Sequence, residues 1–280
     1  MTGTALVLGG GGLTGIGWEI GVLAGLAEAG LDLADADVVI GTSAGSIVGA
    51  HLTSRHLTLE EMYERQLAVP ETRSAARMGP AALARFAAIA LRSRDTESFG
   101  VRMGKLAVAA RTVTEAEQRT AIARTLKLTD WPARRLVITA VDAATGERTA
   151  FDDTSGVRLL DAVGASCAVP GIYPPVTIDG TRWIDGGVHS SANADLAAGY
   201  GRVVIVAPMA ASGGPIAGPR AQGEQLARGG ARVWVLTPDR AARSAFGRNV
   251  LDPAKRADAA RAGRRQAAAE AARIRQVWSD

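Results

Sequence analysis

Two glycine-dense turns, each fed by a short apolar run, constrain this chain more than any other feature. The first is GGGGLTG at 9–15, which follows TALVL at 4–8. The second is GTSAGS at 41–46, which follows DVVI at 37–40. Uninterrupted apolar runs of this length suit strands buried on both faces of a sheet. After the first turn, Trp18, Ile20, Val22, Leu23 and Leu26 recur at roughly helical spacing as far as Gly30, a residue suited to ending a helix. Residues 47–57 continue a second helix behind the second turn. Strand, helix, strand, helix within 57 residues predicts a parallel α/β sheet with right-handed crossovers.

The second turn also fits G-x-S-x-G, with Gly41, Ser43 and Gly45 at the fixed positions. Small residues around a serine permit a tight strand-to-helix turn that exposes the hydroxyl. A helix starting near Ala44 directs its N–H groups and positive dipole end back at Ser43. Ser43 is therefore a candidate nucleophile, and the amides of Gly10, Gly11 and Gly12 are candidate oxyanion donors. Glycine serves there because the backbone must approach an oxyanion with no Cβ in the way.

Such a serine needs a base, and the chain has three histidines. His51 and His56 fall on the helix after Ser43, and His51 is about 12 Å along its axis at ~1.5 Å per residue. Neither folds back easily onto the hydroxyl, which leaves His189 as the geometrically open histidine for a Ser-His-Asp triad. Asp185 is the stronger candidate. It ends a predicted strand, and Gly186 and Gly187 leave room for its carboxylate to approach another turn. A carboxylate with a reference pKa of about 3.9 needs partial desolvation to act as a base. The competing structural reading of Asp185 is a turn cap, since Asp-Gly is a common turn.

Further along, 58–128 is rich in helix-favouring residues. Leu83, Phe86, Ala87, Ala90 and Leu91 form one apolar stripe, and Thr114 and Glu117 are spaced as a capping box. This region is expected to be either core-covering helices or a cap over the site. Strands are predicted at 135–143, 148–151, 203–207 and 232–236, a short helix at 159–168, and a hairpin from 176–178 and 182–184 leading into Asp185. The Gly/Pro-rich segment 208–223 is expected to be a mobile or functional loop. The basic, alanine-rich stretch 252–275 reads as a solvated terminal helix, with a membrane-docking helix as the alternative.

At this point the residues carry a resemblance. Gly10 to Gly15, the turn from Gly41 to Gly45, and Asp185-Gly186-Gly187 resemble, in order and spacing, the motifs of patatin-like phospholipases. ASCAVPGIYPPVTIDGTRWIDGG at 165–187 and VDAATGE at 141–147 are similar to that family too. The resemblance covers roughly 4–57 and 135–208. It implies a three-layer α/β/α sandwich with a mainly parallel central sheet, and a patatin-like domain over 4–208. A helical insertion would fall at about 58–128, with 209–280 completing the same domain. It implies cleavage of lipid carboxylic esters by a Ser43–Asp185 dyad, with no metal and no cofactor. Gly10, Gly11 and Gly12 would hold the oxyanion, and Gly15, Gly41, Gly45, Gly186 and Gly187 would shape the turns. The family's glycine-rich motif usually carries Arg or Lys just before its last glycine, and this chain has Thr14 there.

Composition sets the remaining bounds. A net charge of +4 is compatible with an anionic lipid surface as a peripheral partner. No basic stretch is interleaved with aromatics as a nucleic-acid groove requires. Cys167 is the single cysteine, so no internal disulfide forms. Its small apolar surroundings mark it as a packing residue. The first residues run straight into a strand with no basic, apolar leader, and a cytoplasmic location is expected. Two rival readings remain. Gly10-x-Gly12-x-x-Gly15, with Asp35 or Asp37 about 20 residues on, also fits a dinucleotide-binding fingerprint. A catalytically weak lipid-binding or regulatory relative would keep the same fold.

Overall fold

The computed structural model describes residues 2–69, 76, 79–210 and 213–279. Among these, eight strands form one mixed sheet flanked by helices on both faces, an α/β/α sandwich. The N-terminal half runs β1 (Thr4–Leu8), α1 (Gly12–Glu28), β2 (Val38–Gly41), α2 (Ala44–Ser54), α3 (Leu59–Leu67), α4 (Pro80–Leu91), α5 (Thr96–Ala109) and α6 (Glu115–Leu126). Next come β3 (Leu136–Asp142), β4 (Arg148–Phe151), α7 (Leu159–Ser166), β5 (Val176–Ile178) and β6 (Thr181–Asp185). The chain closes with β7 (Arg202–Val206), α8 (Pro219–Arg228), β8 (Arg232–Leu236), α9 (Arg240–Phe246) and α10 (Arg256–Trp278).

The strand order is β5-β6-β3-β2-β1-β7-β8, with β4 also paired to β3. The pairs among β3, β2, β1, β7 and β8 are parallel, whereas β3–β4, β3–β6 and β5–β6 are antiparallel. Among the described residues, four of the seven strand pairs are parallel, in keeping with the expected mainly parallel sheet, and the antiparallel pairs all lie at the β3, β4, β5 and β6 end. The register on β3 is decisive. β4 lies along Ile138 to Val141 on one edge. On the other edge, β2 lies beside Leu136 to Ile138 and β6 beside Ala140 to Asp142. Because β2 runs parallel to β3 and β6 antiparallel, their C-terminal ends converge on Thr139. Ser43 leaves one end and Asp185 leaves the other.

Local signals explain several boundaries. Thr114 and Glu117 form the expected capping box of α6, and Thr58 with Glu61 forms another on α3. Gly30, at φ +74°, follows α1 and turns the chain where other residues would be strained. The apolar stripe falls on α4, although Leu83's side chain is outside the described residues.

The C-terminal helix departs from expectation. α10 is not a solvated appendage, because Ala259, Ala260, Ala262, Ala267, Ala271 and Ile274 are buried in the main core with α1. Gly17, Gly21 and Gly25 recur every fourth residue on α1. A Cβ at these positions would meet the backbone carbonyls of Arg256, Ala260 and Arg264 on α10. The glycine stripe lets the two helices touch backbone to backbone, which an arginine count along α10 does not reveal.

One residue of α1 is unexpected. Glu19 is fully buried and neither carboxyl oxygen has a hydrogen-bond partner among the described residues. Burial raises its pKa well above the ordinary carboxylate range, which favours the protonated form. The nearby Gly9 amide offsets little of this, since it already donates to the Val206 carbonyl at 2.9 Å. Met has a similar size and no group to desolvate, so Glu19→Met is expected to stabilise the fold by about 1–3 kcal/mol. Urea unfolding at pH 7 checks this. The gain should widen as pH rises above the ordinary carboxylate range, because a raised folded-state pKa means stability is lost as pH rises through it.

Candidate active site

Ser43 sits between β2 and α2 at φ 51° and ψ −114°, outside the regions an L-residue ordinarily occupies. The surrounding glycines permit this. A Cβ on Gly45 would strike the Leu8 carbonyl of β1, and one on Gly41 would strike Gly45 and Ser46. Gly15 lies against Pro208 and Ala44. The turn is held by Thr42 N–H donating to the Leu8 carbonyl at 3.0 Å and Gly45 N–H donating to the Gly9 carbonyl at 3.1 Å. These bonds lock the second glycine turn against the first.

Ser43 and Asp185 are both buried, at 8% and 5% exposure, and the structure brings them together. The Ser43 hydroxyl is close enough to the Asp185 carboxylate to stabilise its charge. Gly187 N–H donates to Asp185 Oδ1 at 2.7 Å. Burial outweighs both and pushes the Asp185 carboxyl up to about 7. A Cβ on Gly186 would collide with Thr139, so only glycine lets the Asp185 loop close on β3. Asp185 caps its own turn through Gly187 and also faces Ser43, so capping the turn leaves its carboxyl free to meet the hydroxyl.

The three glycines of the first turn are not equivalent. Gly10 N–H already donates to the Ser191 carbonyl at 2.8 Å. That corrects the expectation that all three amides are open, because a donor so engaged cannot also receive an oxyanion. The amides of Gly11 and Gly12 have no acceptor among the described residues, and Gly12 opens the 17-residue helix α1. Gly12 has φ +61°, and a Cβ on Gly11 would overlap Pro208. Thr14 is fully buried, its N–H donating to the Val250 carbonyl at 3.0 Å. The position of the family's usual cation is thus a neutral tie to the C-terminal segment.

Three consecutive residues after α7's core clamp both sides of the site. Ser43 N–H donates to Ser166 Oγ at 2.8 Å, Cys167 Sγ donates to the Ser43 carbonyl at 3.4 Å, and Asp185 N–H donates to the Ala168 carbonyl at 3.0 Å. Burial, and then the Asp185 charge, push the Cys167 thiol up to about 12, so it stays protonated. Cys167 is the packing residue expected, with a hydrogen bond added.

Asn193 is the participant that sequence reasoning missed. It is fully buried with φ +52°, a conformation Asn tolerates better than most residues. Its amide nitrogen lies 3.0 Å from Thr42 Oγ1, 3.2 Å from Thr139 Oγ1, 3.2 Å from the Gly186 carbonyl and 2.8 Å from the Ser190 carbonyl. It joins the serine turn, the central strand and the aspartate loop. Its one local signal is an Asn closing the short stretch HSSAN at 189–193.

The histidines are elsewhere. His51 Nε2 is 3.3 Å from the Thr125 carbonyl, and His56 is exposed beyond α2. His189 lies near Arg148 and Asp195, with burial and Arg148 lowering its pKa. Its Nδ1 is buried without a hydrogen-bond partner among the described residues. The acids of the dinucleotide fingerprint are also engaged away from the glycine turn. Asp37 precedes β2 and accepts from Thr4 N–H at 2.7 Å, while Asp35 pairs with Arg55 and Arg134. Both stand at the N-terminal end of the strands, opposite the glycine turn, where a cofactor ribose would not reach.

Among the described residues, no three His, Cys, Asp or Glu side chains cluster as a metal site would require, and no helix is long and apolar enough to cross a membrane. No protein of curated function matches the chain. Two solved structures align over most of it. The type III effector protein ExoU is 16% identical with a TM-score of 0.42, and VipD from Legionella pneumophila is 13% identical with a TM-score of 0.39. The alignments cover 98% and 88% of this chain, which spans about half of each, 53% in both cases. The family model described as Patatin-like phospholipase matches residues 6–198. A match over that span, on a chain whose glycine turns and Asp-Gly-Gly loop meet at one buried site, places it: the chain belongs to the patatin-like phospholipase family.

Proposed function

We propose that the chain hydrolyses carboxylic esters of lipids through a Ser43–Asp185 dyad. One observation carries the reading. A serine in a strained turn at a helix N-terminus faces a buried carboxyl whose pKa stands at about 7. Such a group can take a proton and return it at neutral pH. Ser43 Oγ attacks the acyl carbon while its proton passes to Asp185. The oxyanion forms beside the Gly11 and Gly12 amides at the positive end of α1. Collapse breaks the ester C–O bond, and Asp185 gives its proton to the departing alcohol. Water then attacks the acyl-serine, Asp185 takes a proton from it, and the fatty acid leaves as the proton returns to Ser43.

A fluorophosphonate probe is expected to label the chain on Ser43 alone, as read by peptide mass, and to leave Ser43→Ala unlabelled. An unlabelled native chain that NAD(P) protects against heat would favour the dinucleotide reading instead.

A further inference from the structure

We propose that α4 and the outward side of α5, with the short segment after it, form the surface by which the chain docks on an anionic lipid bilayer. The inference rests on the lipid-ester reading above, and it names the element that meets the lipid.

The first observation is apolar exposure. α4 reads PAALARFAAIAL, with Arg85 its single charge, and none of its described side chains is buried. Leu91, at its end, is 86% exposed, Val108 on α5 is 48% exposed and Val113 just beyond is 49% exposed. These are three of the five large exposed apolar residues among the described positions, the others being Val69 and Met209. Single exposed apolar residues are ordinary, but their concentration on one unit marks an interaction surface.

The second observation is charge. Residues 80–113 carry Arg85, Arg92, Arg94, Arg102, Lys105 and Arg111 against Asp95 and Glu97, a net of +4 from six minus two. That equals the net charge of the whole chain, so the rest of the molecule is balanced. All six cations are exposed, and none forms a salt bridge among the described residues. Apolar surface combined with unpaired cations is what binding at an anionic interface requires. A second copy meeting this face with its own would bring two like charges of +4 together, which opposes self-association through it.

The third observation is position. Phe86, Ile89 and Ala90 of α4 pack on a cluster that includes Ile184 and Val188, the residues bracketing Asp185, Gly186 and Gly187. A bilayer seated on α4 would lie over the Asp185 side of the site.

The test is sedimentation of the full chain with phosphatidylcholine vesicles, with and without phosphatidylserine. Binding is expected only with phosphatidylserine and should weaken as salt is raised. Each cation near an anionic surface contributes roughly fivefold, so Arg92→Gln with Arg94→Gln should lower partitioning roughly twenty-five-fold. Leu91→Glu should lower it too. Both variants should turn over a soluble p-nitrophenyl ester as the native chain does. Ser43→Ala should bind vesicles normally. Equal binding to neutral vesicles, or binding unmoved by either variant, would overturn the proposal, as would a change from dimer to monomer in Leu91→Glu without loss of vesicle binding. If the native chain binds as expected but turns over no ester, the docking surface stands and the hydrolase reading fails.

Discussion

Ser43→Ala is expected to lower p-nitrophenyl ester turnover by about four orders of magnitude or more, whereas His189→Ala keeps most of it. The first effect follows from removing the attacking atom, since no other group can form the acyl intermediate at that position. The second follows from where the imidazole lies. His189 answers to Arg148 and Asp195, and burial and Arg148 favour its neutral form. Serine turnover would depend on it only if it contacted the Ser43 hydroxyl, which Asp185 faces instead. Initial rates of the two variants, compared after circular dichroism shows both folded, decide the matter. If His189→Ala is as inactive as Ser43→Ala, a triad replaces the dyad.

Asp185→Asn should move activity and stability in opposite directions. Asparagine cannot take the Ser43 proton, so turnover falls to the level of Ser43→Ala. Stability rises, because the native carboxylate is ionised in a place that disfavours its charge. The folded-state pKa is raised from 3.8 to about 7, so the folded chain binds the proton more tightly than the unfolded chain. The stability present below about pH 4 is then lost as pH climbs through 7. At pH 8 this difference corresponds to about 4 kcal/mol. Urea unfolding of the native chain and of Asp185→Asn at pH 5 and pH 8 should show a gap that widens with pH. An equal gap at both values would mean that the carboxyl is not raised. The same group sets the rate profile, so kcat/KM should rise with pH and level off above about 7.

The fold and the core of the site were legible because their signals are local. Clustered glycines after apolar runs announced both turns, G-x-S-x-G singled out Ser43, and Asp185-Gly186-Gly187 gave the carboxylate its approach. What was hidden depends on partners far along the chain. The Gly10 amide is occupied by Ser191, the Ser43 amide is held by Ser166, and Asn193 bonds Thr42 and Thr139. Nothing near any of these residues reports the contact. α10 misled for a related reason. Its arginines suggest a solvated face, while the glycine stripe that buries its other face belongs to α1, over 200 residues earlier.

The meeting of β2 and β6 along one edge of β3 has a consequence for tolerance to change. β3 contributes no reacting group, yet it serves as the gauge that sets how far apart the hydroxyl and the carboxyl stand. One extra residue between Ile138 and Ala140 would slide one partner along by about 3.4 Å, a full strand increment, and the direct proton transfer proposed between them would fail. Segments that do not pair with β3 are free of that restriction, so they can diverge while the spacing at Thr139 stays fixed.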